Sequence, residues 1–337
     1  NLPFFCHADA AAGGLDFSAE VVAVTASSLA SAQRAAATYG ILRAVASADE
    51  LIADPEIDVI DICSPNPCHY AVAKAAIQAG KHVLCEKPMA TTLEDSEAMV
   101  AAAKEAGKRL MIGQNQRLAK AHSKARELIA QGAIGKVLTF RTIFGHGGPE
   151  TWSIDPGSNV WFFDKTKAAM GAMADLGIHK TDMIQYVLGS KIVKTQAVLT
   201  TLDKRDATGS LIGVDDNAIC IYQMENGVIG TMTASWTYYA AEDNTTVIYG
   251  TKGELRLYDD PKYSVQQINA DGTRIDYQID QIQTNDNQTA SGVIDLFVDC
   301  LVEKKEPEIS GANVLHAMKA VFASIESSAK GCAIEVK

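Results

Sequence analysis

The sequence predicts an α/β protein with an N-terminal Rossmann-like, doubly wound parallel sheet and a C-terminal α+β domain carrying a large open-faced, mostly antiparallel sheet. Three observations predict it. Up to about residue 113, short unbroken apolar runs alternate with helical stretches. From about residue 119 the rhythm changes, and β-like runs joined by turn signals come to dominate. The 337 residues, 47% of them apolar, are also enough for two domains with a core each.

In the first part, "VVAVT" (21–25) precedes the Ala-rich "LASAQRAAATYG", and "DVIDIC" (58–63) precedes "CHYAVAKAAIQAG". "HVLCE" (82–86) precedes "LEDSEAMVAAAKEAG", and "RLMIG" (109–113) closes the series. Continuous apolar strands suit a sheet covered on both faces, and strand–helix alternation gives right-handed crossovers. Gly40, Gly80 and Gly107 each stand just past a helix, as C-terminal stops. The expected N-terminal domain spans residues 1–118, and the C-terminal domain, for substrate binding and oligomerisation, spans 119–337.

In the second part, the helix "SKARELIAQG" leads into the strand "KVLTFRTIFG". A loop rich in Gly, Pro and Trp follows, then a helix at about 172–188. The runs "KTQAVLTTL", "NAICIYQM", "GVIGTMTASW", "TTVIYG", "GELRLY", "SVQQI" and "RIDYQI", with turns such as "ENG", "TKG" and "ADG", predict the antiparallel sheet. Polar "QTNDNQ" (283–288) reads as a loop, and two helices near 287–303 and 311–330 finish the chain.

A nucleotide-binding domain opens on a strand and a Gly-rich turn whose amides hold pyrophosphate. Here residue 1 is Asn, and "AAGGLDF" has Gly13 and Gly14 but no strand before them. "VVAVT" resembles the second strand of such a domain. The expectation is a chain truncated by about 10–20 residues, the length of one strand and a turn; the alternative is an authentic start unable to hold pyrophosphate.

Composition excludes several classes. A net charge of −11 argues against a nucleic-acid partner, which selects a basic face. No run of about 18 apolar residues suggests a membrane span, and no Cys/His cluster has metal-ligand spacing. Seven cysteines, an odd number without a C-x-x-C pair, fit a reducing, cytoplasmic setting.

The chemistry concentrates in two motifs. "SPNPCHYAVAKAAIQAGKHVLCEKP" (64–88) reads as strand end, turn, helix, strand and strand end, with Asn66 placed to cap the helix and Pro67 in its first turn. Strand ends in an open parallel sheet are where ligands bind, so Glu86, Lys87 and Pro88 are candidates for function. In "ADLGIHKTDMIQYVLG" (174–189), Asp175, His179 and Asp182 fall on one helical face while Leu176, Met183 and Val187 face a core. Tyr70 and Lys74 have the Y-x-x-x-K spacing of short-chain dehydrogenases but stand too early in the chain, and read as helix-surface residues.

Together these motifs resemble the glucose–fructose oxidoreductase/inositol dehydrogenase (Gfo/Idh/MocA) family over nearly the whole chain. The resemblance is carried by Ser64-Pro65-Asn66, "AGKHVLCEKP", "GQNQR", "LIAQGAIGKV", "DLGIH" and "GTKGEL", in this order. It implies a nicotinamide cofactor, a Lys–Asp–His site for sugars or polyols, and a homodimer or homotetramer formed through the C-terminal sheet. Lys87 matches the lysine of E-K-P; Asp175 and His179 match D-x-x-x-H. Cofactor contact is expected at Ser27, Ser28, Ser64, Pro65, Asn66, His69, Glu86, Lys87 and Asn115. Substrate contact is expected at Lys87, His146, Trp161, Asp175 and His179. One departure is "KAAMGAMAD" (167–175), where many members carry a Gly-rich run.

Oxidising a C–OH requires a group that takes the hydroxyl proton as hydride leaves. His179 is the expected base, because an imidazole titrates near neutral pH. Asp175 would orient it or bind substrate, and Lys87 would stabilise alkoxide character on the reacting oxygen. Asp182 completes a hydrogen-bond network at most. The end of the second strand reads Thr25-Ala26-Ser27-Ser28, with no carboxylate to select a ribose 2′-hydroxyl, so the cofactor is NAD(P) with a slight lean to NADP. The loop 145–165 carries His146, Trp152, Trp161 and Lys165, and aromatic faces beside polar groups suit sugars. Two alternatives remain beside the dehydrogenase. They are an NAD-dependent glycosidase with transient redox chemistry, which accumulates no reduced nucleotide, and a non-catalytic nucleotide- or sugar-sensing protein.

Overall fold

The computed structural model describes residues 19–153, 156–282 and 291–337. The "AAGGLDF" segment and the 283–288 loop lie outside the described residues. The chain divides into two compact units.

The first unit holds the described residues up to Ala90, then Glu94–Gly113 and Gly292–Asn313. Its strands are β1 (Ala23–Val24), β2 (Arg43–Ala44), β3 (Val59–Ile62), β4 (His82–Cys85) and β5 (Leu110–Ile112), and every pairing among them is parallel. β1 pairs with β2, and β3–β4–β5 form a second ladder. Helices α1 (Leu29–Tyr39), α2 (Ala48–Ala53), α3 (His69–Gln78) and α4 (Leu93–Ala106) connect them. Val83, Cys85, Met111 and Ile112 are fully buried, as a sheet covered on both faces requires. Gly40 ends α1 in the left-handed region (φ 67°), a conformation a Cβ would strain. Sequence patterns missed β2 and α2, because two-residue strands and one-turn helices carry no periodicity.

Asn66 does not cap α3. It opens a 3₁₀ turn (Asn66–Cys68) inserted before the helix, and the cap positions fall on Pro65 and Cys68, neither of which supplies a side-chain bond. The paired prolines at 65 and 67 account for this, since Pro67 fits a first turn but the residue before a proline is driven away from helical geometry. Tyr70 and Lys74 lie together on the outer flank of α3, Lys74 Nζ donating to Tyr70 Oη at 3.0 Å.

The second unit holds Gln114–Ser291 and Val314–Lys337, with Thr91–Leu93. A 3₁₀ turn (Asn115–Leu118) and α5 (Lys120–Ala130) lead into β6 (Val137–Gly145). The loop after it contains two one-turn helices, α6 (Pro149–Trp152) and α7 (Lys165–Ala168). A π-helical turn (Met173–Gly177) then runs into α8 (Ile178–Leu188). The remaining strands are β7 (Ile192–Thr200), β8 (Asn217–Met224), β9 (Ile229–Ser235), β10 (Thr246–Gly250), β11 (Gly253–Leu257), β12 (Val265–Asn269) and β13 (Arg274–Tyr277). Helix α9 (Val293–Val302) belongs to the first unit, and α10 (Gly311–Lys330), from Val314 onward, with the short β14 (Ile334–Glu335) completes the second. Nine strands form one sheet in the order β13-β12-β11-β10-β6-β9-β8-β7-β14. Only β6–β9 is parallel, so the sheet is mostly antiparallel.

Strand alternation gives this sheet two unlike faces. Cys220, Tyr222, Met232 and Ala234 are fully buried, whereas Val198, Ile219, Ile221 and Ile229 on the opposite face are more than half exposed. The buried face receives α10, whose Ser324 and Ser327 hydroxyls bond Thr195 Oγ1 and the Ala197 amide. It also receives the π turn. A Cβ on Gly177 would stand 3.2 Å from Met232 Cε and 2.8 Å from Met173 Sδ, so glycine in "DLGIH" lets this turn approach β9.

Candidate active site

In the first unit the polar groups gather where β3 and β4 end. His69, fully buried at the start of α3, places Nδ1 and Nε2 each 2.8 Å from a carbonyl oxygen, those of Pro88 and Ser64. The ring thus ties the end of β3 to the segment after β4. Burial lowers the His69 pKa, and the Lys87 charge pushes the same way against the two carbonyls. The Lys87–Pro88 peptide is cis. The Lys87 amide donates to Glu86 Oε2 at 3.2 Å, and that carboxylate lies against Gly113, whose added Cβ would be 3.2 Å from Oε2. Glu86 and Lys87 are half-buried.

Two expected or adjacent cofactor positions of this unit carry buried oxygens without a hydrogen-bond partner, Thr25 Oγ1 just past β1 and Ser64 Oγ just past β3; in the second unit, Asn115 Oδ1 is likewise buried without one. Thr25 and Ser64 follow the carboxyl ends of parallel strands, where a dinucleotide binds in a doubly wound sheet. Buried polar atoms normally find partners, so these positions fit a ligand rich in hydroxyls and amides. Ser28 is differently employed: its hydroxyl accepts the Ser31 amide at 3.2 Å and caps α1. Ser27 and Pro65 are exposed.

In the second unit, Asp175 lies in the π turn and His179 in the first turn of α8, 8% and 7% exposed. The sequence pattern predicts an ordinary helix here; the π turn is a local widening of the kind that recurs at functional sites. Asp215 fixes its start. Its carboxylate accepts the Gly171 amide at 3.0 Å and the Met173 amide at 2.7 Å, while the Ala172 amide bonds its backbone carbonyl at 2.8 Å. Burial raises the Asp215 pKa against those bonds. The fully buried Trp236, just past β9, donates its indole N–H to Asp175 Oδ2 at 3.0 Å. Asp182 forms a buried bidentate pair with Arg117, whose Nε and Nη2 both donate at 2.6 Å. It therefore anchors α8 to the 115–118 turn.

An aromatic belt links the two ends of this helical segment. From His179 it passes to Phe144 (centroids 6.2 Å), His146 (5.8 Å), Trp152 (6.1 Å), Phe162 (5.3 Å) and Trp236 (6.3 Å), which returns to Asp175. Trp161 stacks on Phe162 at 4.0 Å. His146 is buried, and its Nδ1 accepts the Gly148 amide at 2.9 Å. Of the expected substrate residues in this unit, His146, Asp175 and His179 join the belt directly and Trp161 backs it; Lys165 is exposed. Sequence reasoning missed Trp236 and Asp215. The adjacent acids of "GVDDN" were the only local signal, since the partners of Asp215 in the π turn lie about 40 residues away.

Residues 3–114 match the oxidoreductase family with an NAD-binding Rossmann fold (GFO_IDH_MocA), and residues 122–256 match a GFO/IDH/MocA C-terminal domain. The chain belongs to the Gfo/Idh/MocA oxidoreductase family. It is 30% identical over 322 residues to 1,5-anhydro-D-fructose reductase of Ensifer adhaerens, covering 94% of this chain and 91% of that protein. It is 34% identical over 242 residues to levoglucosan dehydrogenase of Pseudarthrobacter phenanthrenivorans, covering 66% of this chain and 61% of that protein. The solved structure of levoglucosan dehydrogenase in complex with NADH and levoglucosan superposes with a TM-score of 0.81 at 28% identity, over 94% of this chain and 90% of that one. As in other Gfo/Idh/MocA members, a Rossmann NAD-binding domain is joined to a domain with a large mixed sheet.

Proposed function

We propose that this chain is an NAD(P)-dependent dehydrogenase that oxidises a secondary hydroxyl of a cyclic, uncharged sugar or polyol, with Lys87, Asp175 and His179 as its catalytic residues. The observation that carries the reading is the buried Asp175–His179 pair, closed into a circuit by aromatic rings. Aromatic faces bind the apolar faces of sugar rings, and the two polar groups are the ones a hydroxyl needs. Relatives named for levoglucosan and for 1,5-anhydro-D-fructose, both cyclic anhydro sugars, support the substrate class.

The bound nicotinamide supplies the hydride acceptor. His179 removes the hydroxyl proton, and its orientation is supported by Asp175 one turn earlier. Trp236 holds one Asp175 oxygen, leaving the carboxylate fixed rather than rotating. The Lys87 ammonium donates to the reacting oxygen and stabilises negative charge as it develops there. Ser64, Asn66, His69 and Glu86 build the strand-end platform that holds cofactor and lysine, with Asn115 as a further donor–acceptor. Without a carboxylate over 25–28 the adenosine end tolerates a 2′-phosphate, which supports NADP beside NAD. The row of exposed apolar residues on the sheet, Val198, Ile219, Ile221 and Ile229, supports a homodimer or homotetramer through that face. The six described cysteines, all free thiols, support a reducing, cytoplasmic setting.

The test is a screen of cyclic sugars and polyols with NAD+ and NADP+, following reduced nucleotide by its near-ultraviolet absorbance. Net accumulation that disappears in Lys87→Met supports the reading. Sugar cleavage without net reduced nucleotide would assign the glycosidase chemistry instead.

A further inference from the structure

Lys180, the residue after the proposed base, is fully buried and takes no part in the chemistry assigned above. Its ammonium donates to the Asn244 carbonyl at 3.0 Å. The residues on either side of Asn244 are bonded to the end of β6. The Gly145 amide donates to the Asp243 carbonyl at 2.7 Å, the Asp243 amide returns a bond to the Gly145 carbonyl at 2.9 Å, and the Ile143 amide donates to the Thr245 carbonyl at 2.9 Å. Phe144 stands between those anchors. Its ring centroid lies 5.9 Å from Lys180 Nζ and 6.2 Å from the His179 ring centroid, so the ammonium and the imidazole share one phenyl neighbour.

The other charged groups packed around α8 leave this repulsion in place. Asp243 and Glu242, both half-buried ahead of β10, act on Lys180 through charge alone and do not outweigh its burial. Asp243 Oδ1 accepts the Thr245 amide at 3.0 Å. His122 on α5 is held neutral by burial, the buried Arg117 and Asp182 neutralise each other, and Arg126 lies over the Tyr186 ring near the other end of α8. Asp175, one turn before His179, favours a protonated imidazole, and His146 is engaged through Nδ1 with the Gly148 amide. Burial leaves the Lys180 pKa at about 7, so the ammonium is present across the acid range in which an imidazole takes its proton. A base that already carries a proton cannot accept one from a hydroxyl. We propose that the Lys180 ammonium keeps the His179 imidazole neutral under mildly acidic conditions, by like-charge repulsion past Phe144, and so extends the pH range over which His179 can act as a base. Two unit charges about 12 Å apart, in an interior with an effective dielectric of about 20, shift each other by about one pKa unit. Lys180 is thus a positioning residue, acting through His179 and not on the reacting atoms. Its consequence for turnover rests on the dehydrogenase reading; its electrostatics do not.

The test is a histidine NMR titration of the full chain without substrate, with the His179 signal assigned by its absence from His179→Asn. Wild type, Lys180→Met and Lys180→Gln are compared; glutamine keeps a donor for the Asn244 carbonyl without the charge. The His179 midpoint is expected to rise by about one pH unit in both variants, and the acid limb of kcat/KM for an oxidised sugar to rise with it. A midpoint unmoved in Lys180→Gln, or moved only in Lys180→Met, would overturn the charge effect and reduce Lys180 to a hydrogen-bonded strut. A wild-type midpoint above about 6.5 would overturn it with no variant needed. If the midpoints move as expected but wild type oxidises no sugar or polyol with either nucleotide, the dehydrogenase reading falls while the coupling of Lys180 to His179 stands.

Discussion

Replacing Lys180 with methionine is predicted to stabilise the protein and to remove much of its stability change across neutral and alkaline pH. Lys180 follows the proposed base on α8 and is fully buried. Its ammonium donates to the Asn244 carbonyl at 3.0 Å and lies 5.9 Å from the Phe144 ring centroid. Burial brings its pKa down from 10.5 to about 7, against the opposing charges of Asp243 and Glu242. The nearby His122, itself lowered to about 3 by burial, stays neutral and adds no compensating charge. Between about 7 and 10.5 the unfolded chain therefore holds a proton that the folded protein has released. Stability rises with pH through that window by about 1.4 kcal/mol per pH unit, on the order of 5 kcal/mol in all. Below it both states are charged and the full penalty is present. Methionine fills a similar volume and escapes the penalty but leaves the Asn244 carbonyl unpaired, at about 1–3 kcal/mol. Near about pH 6 the variant should be more stable by about 2–4 kcal/mol, with the difference shrinking above about pH 8. Urea unfolding midpoints across this range measure both quantities. Parallel pH slopes for the two proteins, or a less stable variant at acid pH, would refute the reasoning and show the ammonium to be fully compensated by its acidic neighbours.

Other perturbations follow from the same geometry. Arg117→Met strands the buried Asp182 carboxylate and should cost about 3–5 kcal/mol in thermal unfolding, with Asp182→Asn milder; equal losses would argue against a stranded charge. Trp236→Phe keeps the ring but removes the bond to Asp175, and should lower kcat about 10-fold or more with a smaller change in KM; an unchanged kcat contradicts the orienting role. A Cβ at Gly171 would stand 1.9 Å from the Asp215 carbonyl oxygen, so Gly171→Ala should displace the turn bearing Asp175 and cost at least about 1–3 kcal/mol, checked by Tm and kcat together. Ile221→Lys replaces a residue 54% exposed on the open sheet face and should reduce the mass in sedimentation; an unaltered mass would remove that face from the assembly.

The parts of this molecule that the sequence makes legible are those written in local patterns. Period-two alternation in "NAICIYQM" becomes the buried and exposed faces of β8, and the parallel strands of the first unit are the apolar runs themselves. The spacing of Asp175 and His179 shows that the two share a helical segment, but nothing local announces the π turn. That turn is imposed by Asp215, 40 residues later, and by the close approach that Gly177 permits to β9. Asp182 reads as part of a network, while its partner Arg117 is 65 residues away and visible only in three dimensions. The Asn66 expectation failed for a local reason: two flanking prolines select a 3₁₀ turn in place of a simple cap. The Glu150–Lys204 pair joins two loops whose sequences give no sign of each other.

Deuterium transfer tests the central claim most directly. A cyclic sugar deuterated at the reacting carbon is incubated with wild type, Lys87→Met and His179→Asn, each with bound oxidised nucleotide, and the mass of the nucleotide is read after a single turnover. Direct transfer predicts deuterium in the wild-type reduced nucleotide, with a rate about 10²–10³-fold lower when the Lys87 ammonium is removed and a comparable loss at His179. An unlabelled nucleotide, or full transfer rates in both variants, would contradict the assignment of hydride chemistry to this site.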